Sequence, residues 1–179
     1  QLVQARGGHH GNSHRLELGG IYQINNFERN QGGDAVFSGV GSKLSYEFKS
    51  SSSGYGLGLK ISYESAKLSN TSNNSSTSES LGQTAYSLSP RVYALDLYVG
   101  LGVVSNSRKY DRSHNTLPLS KDFTGSGLRF ELGYNWFVSK NFYINPGLTY
   151  ELSQVKANDS APASRFSTFG FGVGAGFEF

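Results

Sequence analysis

The chain has 179 residues, enough for one domain, with a formal net charge of +3 and no cysteine. Charged residues are 16 % and apolar residues 36 %, while glycine (23 residues) and aromatics (13 %) are abundant; this suits a thin apolar shell around a partly polar interior better than a soluble core, and it excludes a disulfide framework, thiol chemistry and Cys-ligated zinc. The charge is too small to argue for a nucleic-acid partner, and no apolar run approaches the roughly 18 residues of a transmembrane helix, so any membrane crossing must use strands.

Gln1 to Ser13 lacks periodicity and carries Gly7, Gly8 and Gly11, so a flexible N-terminal segment is expected over 1–13 and the ordered domain over 14–179. With no initial Met and no signal-peptide pattern, a mature chain is expected. His9, His10 and His14 cluster there, but three histidines in a Gly-rich tail make no metal site, and no cofactor is expected.

From Arg15 the apolar residues recur at every second position, the period of a strand. The first strand, Arg15 to Asn26, sets Leu16, Leu18, Tyr22 and Ile24 against Glu17, Gly19 and Gln23, with Ile21 on the polar face. The second, Val36 to Lys49, sets Val36, Val40, Leu44, Tyr46 and Phe48 against Gly39, Gly41, Lys43, Ser45, Glu47 and Lys49. The third, Tyr55 to Leu68, repeats the pattern after the short Ser50 to Gly54 turn. Ser69 to Gly82 is a low-complexity polar loop. The fourth strand, Gln83 to Tyr93, contains Pro90, which cannot donate to a ladder, so a bulge or weak pairing is expected there. After a tight turn at Ala94 to Asp96 comes the fifth, Leu97 to Asn106. Ser107 to Phe123 is read as the longest loop. The sixth strand is Thr124 to Phe137 and the seventh Phe142 to Gln154, with Pro146 on its apolar face. The closing strand is Arg165 to Phe179, where Phe169, Phe171, Val173, Ala175, Phe177 and Phe179 alternate with Gly170, Gly172, Gly174, Gly176 and Glu178.

Eight strands joined alternately by long and short connections predict an all-β fold, a closed eight-stranded antiparallel up-and-down transmembrane β-barrel. Alternation alone also fits a soluble barrel with its grease inside. Three features favour the inverted arrangement. The polar face mixes glycine with both signs of charge: Glu17, Lys43, Lys60, Glu64, Arg91, Arg129, Glu131, Glu151 and Glu178, expected as an interior ion-pair network. Aromatics gather at both strand ends: Tyr46, Phe48, Tyr55, Trp136, Phe142, Phe177 and Phe179 by the short turns, and Tyr22, Tyr63, Tyr86, Tyr150 and Phe169 by the long loops. The sequence also closes on a phenylalanine.

This closing strand resembles that of Gram-negative outer-membrane barrels, and Arg15 to Phe179 as a whole resembles the small eight-stranded members, the group of the OmpA transmembrane domain, OmpX and Ail. The resemblance implies an outer-membrane location with both termini periplasmic, outer-membrane lipids and lipopolysaccharide as surroundings, and a monomer. It also implies that the barrel-assembly machinery reads Phe171, Val173, Phe177 and Phe179 as the insertion signal. A peptidoglycan-binding domain of the OmpA kind has no room in this length.

The function expected is structural and adhesin-like, exercised through the exterior loops. Arg108, Lys109, Arg112, His114 and Lys121 in the third long loop outnumber Asp111 and Asp122, so a host protein, a heparin-like polyanion or lipopolysaccharide phosphate is the expected contact. The alternative is a narrow channel for ions or small solutes. An enzyme acting on lipid A is not expected: Ser113-His114-Asn115 lacks the spacing of PagL-like deacylases, and a charged interior cannot hold the acyl chain of a PagP-like acyltransferase. Gly170-Phe171-Gly172 follows strand alternation and opens no helix, so it is no nucleotide fingerprint.

Overall fold

A computed structural model describes residues 11–28, 35–52, 54–70, 77–114, 119–157 and 163–179. They form nine antiparallel strands: β1 (Gly11–Glu28), β2 (Ala35–Ser52), β3 (Tyr55–Asn70), β4 (Thr77–Ala94), β5 (Leu97–His114), β6 (Leu119–Tyr134), β7 (Trp136–Phe137), β8 (Phe142–Ala157) and β9 (Ser164–Glu178). Consecutive strands pair from β1 through β6, as do β7 with β8 and β8 with β9; β1 pairs with β9, and β6 pairs with β8. The sheet is therefore closed, with β6 and β7 forming one stave of eight. Closure leaves no edge to satisfy in lipid. No helix among the described residues is long and apolar enough to cross a membrane.

The break between β6 and β7 has a local cause. The β6–β8 register, Gly133↔Gly147, and the β7–β8 register, Trp136↔Ile144, are in phase across the gap. Pro146 stands opposite that gap and has no N–H to give. The Asn135 amide donates instead to the Asp96 carbonyl at 2.9 Å, and its side-chain oxygen accepts from Asn145 Nδ2 at 2.6 Å inside the barrel. Pro90 acts the same way. Pairing of β4 with β5 lapses between Leu88↔Val103 and Arg91↔Gly100, yet the register does not shift, so of the expected bulge or weak pairing it is weak pairing that occurs.

The tight turns lie at one end, with Gly11 and Phe179 beside them. Gly54 takes φ +86° in the β2–β3 turn, a conformation that glycine adopts without steric cost. At the same end His14 and Phe179 exchange backbone hydrogen bonds of 2.9 Å, which zips β1 to the last residue. Gly11 to Ser13, expected in the flexible segment, belong to β1 and pair with Ser51 to Lys49; residues 1–10, with His9 and His10, lie outside the described residues. The predicted faces are observed: Leu18, Val40, Tyr55 and Leu101 are more than half exposed, while Ile21 is buried among the polar interior residues.

At the other end every stave is longer than expected. The predicted loop Ser107 to Phe123 is mostly strand, because β5 runs to His114 and β6 begins at Leu119. Likewise Ser69, Asn70 and Thr77 to Gly82 belong to β3 and β4. The alternation continues there, but with its sign reversed.

Candidate functional site: a filled interior and a loop-end collar

Three layers fill the barrel. Nearest the tight turns, the buried Arg15 guanidinium pairs with Glu178 at 2.6 Å. It also lies 5.2–5.6 Å from the ring centres of Tyr93, Phe137 and Tyr143. These rings need close backbone approach. A Cβ on Gly176 would collide with Tyr143, and one on Gly133 with the Tyr98 ring, so glycine on the inner face makes room for tyrosine.

The middle layer is an ion-pair network. Glu17 meets Lys43 at 3.4 Å, and Glu131 meets Lys60 at 3.4 Å and also Arg91. Arg91 reaches on to Glu47 at 3.4 Å, and Tyr93 donates its hydroxyl to the same carboxylate. Arg129 bridges Glu64 at 2.7 Å and Glu151 at 2.8 Å. All the predicted interior residues, Glu17, Lys43, Lys60, Glu64, Arg91, Arg129, Glu131, Glu151 and Glu178, thus lie inside and contact an opposite charge. Glu47, Arg15 and Arg108 complete the network and were not among them. Between the network and the β1, β8 and β9 wall is a cavity of about 20 Å³ lined by Glu17, Lys43, Tyr98, Glu131, Asn145 and Thr149. That volume holds about one water.

The third layer is apolar. Phe27, Ala35, Phe37, Ala66, Leu68, Leu81, Tyr110, Phe123, Val155 and Phe166 form one buried cluster with a member from every stave. Phe27 stacks on Phe166 at 4.3 Å between ring centres, and Phe123 meets both rings edge-on. Arg108 links the upper layers: its guanidinium sits 4.0 Å from the centre of the Phe166 ring and 3.0 Å from Glu151.

The outer wall changes where this cluster begins. Tyr22, Tyr63, Tyr86, Tyr150 and Phe169 make an exposed aromatic rung. Below it the outward residues are mostly apolar, with Ser42 on β2 an exception. Above it polar residues predominate: Ser65, Lys67 and Ser69 on β3; Thr84 and Ser80 on β4; Ser105, Ser107 and Lys109 on β5; Ser126, Thr124 and Asp122 on β6; Gln154 and Lys156 on β8; and Ser167 and Arg165 on β9, with Ile24 on β1, Val36 on β2 and Leu152 on β8 the exposed apolar exceptions. The barrel is inside-out below the rung and conventionally packed above it. On β3 the collar covers Tyr63 to Asn70, roughly 18 Å of height at about 3.3 Å per residue and about 40° of tilt.

This reversal corrects the surface-loop prediction. Arg108, Lys109, Arg112 and His114 lie on β5 and Lys121 on β6, not in a loop. Arg108 is fully buried, because its position has the inward parity of the ion-pair network. Lys109 is exposed, with Asp111 at 4.0 Å. Arg112 is half-exposed and stands 3.6 Å from Glu79, which also accepts from Tyr110 at 2.6 Å and Asn70 at 2.5 Å. Lys121 is half-buried, and His114 pairs with Thr77 through its backbone register. Ser78, Ser80, Asp111, Arg112, Ser113, Leu119 and Ser120 line an open cleft of about 370 Å³ at this end. Among the described residues no group of His, Asp or Glu is arranged to hold a metal ion. The closing-strand residues Phe171, Val173, Phe177 and Phe179 all point outward and are about half exposed or more.

Comparison with known proteins agrees with this geometry. A family model described as outer membrane protein beta-barrel domain matches residues 3–179. The attachment invasion locus protein Ail of Yersinia pestis is similar in structure, with TM-score 0.59 at 16 % identity, covering 94 % of this chain and 99 % of Ail. Neisserial surface protein A gives 0.57 at 15 %, covering 94 % and 99 %. OprG from Pseudomonas aeruginosa gives 0.53 at 13 %, covering 95 % and 97 %. No curated protein matches the sequence.

Proposed function

The chain belongs to the outer membrane protein β-barrel domain family and is an outer-membrane protein; on that premise we propose a non-catalytic surface protein whose loop-end collar projects outside the cell and binds polyanionic partners. Gly11, Phe179 and the tight turns then face the periplasm. The observation that carries this reading is the reversal of polarity at the aromatic rung. Only a segment standing in water gains by turning Phe27, Phe37, Phe123 and Phe166 inward and Lys109, Lys156 and Arg165 outward. A collar with its own apolar core is a rigid support for an interaction surface. The outward Lys67, Lys109, Lys156 and Arg165 outnumber Glu28, Asp111 and Asp122, which favours an anionic partner. Ail, a protein of the same fold, has been seen in complex with the heparin analogue sucrose octasulfate, which makes heparin a natural probe.

Orientation is tested by labelling intact cells with a membrane-impermeant maleimide. Ser113→Cys should react and Lys140→Cys should not; the opposite pattern would reverse the assignment. For binding, the folded protein should be retained on immobilised heparin, and Lys156→Glu with Arg165→Glu should lower affinity at least tenfold. Retention unaffected by the charge reversal would reject the polyanion reading. The narrow-channel alternative is disfavoured because an apolar cluster with a member from every stave lies across the interior; discrete current steps in planar bilayers would restore it.

A further inference from the structure

Lys67 on β3, Gly82 on β4 and Lys109 on β5 are direct cross-strand neighbours on the outer wall. Both lysines are exposed, and the strand between them carries no side chain. A Cβ on Gly82 would meet nothing nearer than the Lys109 carbonyl oxygen at 3.8 Å. Two ammonium groups therefore flank an open notch about two strand spacings, roughly 10 Å, across. One rung lower stand the hydroxyls of Ser65, Thr84 and Ser107. The next rung is the Tyr63–Tyr86 pair, with ring centres 5.2 Å apart, and below it the wall is Ile61 and Leu88. Read downward, this sector offers cations, then hydrogen-bonding hydroxyls, then amphipathic rings, then grease. Asp111, 4.0 Å from Lys109, and Asp122, its cross-strand partner, are the nearby carboxylates; both lie above or beyond the notch, away from Gly82.

We propose that the Lys67–Gly82–Lys109 notch binds the phosphate of a phosphorylated glycolipid of the outer leaflet, whose acyl chains run down the Tyr63–Tyr86 sector. The proposal rests on the outward orientation given above. The vertical order of chemistry selects an amphiphile over a soluble polyanion, because a soluble anion has no use for the tyrosines and aliphatic wall beneath the lysines. Lysine suits the role, since its flexible stem can lay along the wall while the ammonium reaches the headgroup.

The test uses the full chain folded in detergent, incubated with bisphosphorylated lipid A, exchanged into lipid-free detergent and examined by native mass spectrometry. The wild-type protein should retain one lipid A. Lys67→Gln with Lys109→Gln should lower occupancy at least tenfold, and Gly82→Val, which fills the notch without removing charge, should lower it as well. Lys140→Gln, at the tight-turn end, should have no effect, and dephosphorylated lipid A should not be retained. Heat-modifiable mobility shows that each variant is folded. Equal retention by the Lys67→Gln/Lys109→Gln or Gly82→Val protein overturns the site. So does retention of dephosphorylated lipid, and so does complete displacement by millimolar inorganic phosphate, which would mark a free-anion site. Lipid retention in detergent does not depend on orientation in cells and the maleimide pattern does, so the two failures are distinguishable.

Discussion

The part of the barrel below the aromatic rung and the collar above it obey opposite rules. Below, Arg15, Lys60, Arg129 and Glu131 are buried while Leu18, Val40 and Leu101 are exposed; above, Phe37, Leu68 and Leu81 are buried while Lys109 is exposed. The backbone does not change across the boundary: the same staves run through it in unbroken register. What changes is the surrounding solvent. A sheet has two faces, and the face that meets hydrocarbon must be apolar whatever the other face does. Once the wall enters water, the hydrophobic effect acts in its ordinary direction and the apolar residues move inside. The height at which polar residues take over the outer face thus records where the bilayer ends.

Substitutions that treat the two regions alike should give unlike results. The largest effect is expected at Glu131, which serves both Lys60 and Arg91. Glu131→Ala leaves two buried cations short of a partner and should cost about 3–5 kcal/mol, read as a lower urea midpoint in lipid vesicles. A loss under about 1 kcal/mol would mean that water reaches this layer and the interior is not dry. In the collar, the corresponding core residue is Phe166, stacked on Phe27 and under Arg108. Phe166→Ala should cost about 3 kcal/mol through the cavity and the exposed guanidinium face. An unchanged midpoint would show that the collar contributes nothing to folding.

Outward positions sharpen the contrast further. Val173→Lys places a charge on the lipid face at the rung of Gly20, midway along β1 between the two girdles. It should cost about 2–4 kcal/mol and reduce the folded fraction seen as heat-modifiable mobility. The converse change in the collar, Lys109→Leu, should shift stability by less than about 0.5 kcal/mol, as at most exposed sites. Similar costs for these two variants would erase the proposed boundary. Salt should separate the regions as well. The exposed Lys109–Asp111 pair at 4.0 Å is screened once salt of about 1 M shortens the Debye length to about 3 Å, so Asp111→Asn should be neutral at high ionic strength. The Arg129 pairs, buried on both sides, should show no such dependence.

Sequence periodicity determined the fold and the sidedness of the membrane-spanning part, because a two-residue repeat with a strictly apolar face is a local property of each strand. Leu16, Leu18, Tyr22 and Ile24 declare their face without reference to any other stave, and so do Phe169 to Phe179. The interior charges were legible for the same reason: only residues in phase with the inner face could be members, which selected Glu17, Lys43, Lys60 and Glu131. The collar was not legible. Reading the outward apolar alternation stops at Tyr86 or Val103, beyond which serine, lysine and aspartate look like loop. The signal that could have found it is the same period with inverted sign, in Leu81, Gln83 and Ala85 on β4 and in Phe123 on β6.

The sequence alone therefore determined eight staves, their faces and the polar nature of the interior, since these depend on alternation within single segments. Only the tertiary structure decided which charges meet, that Arg108 is a buried member of the network, and that ten apolar side chains close the loop end as one cluster. Those facts depend on the register between staves far apart in sequence, such as Arg108 with Glu151 and Phe27 with Phe166, which closure of the barrel fixes and no single strand encodes.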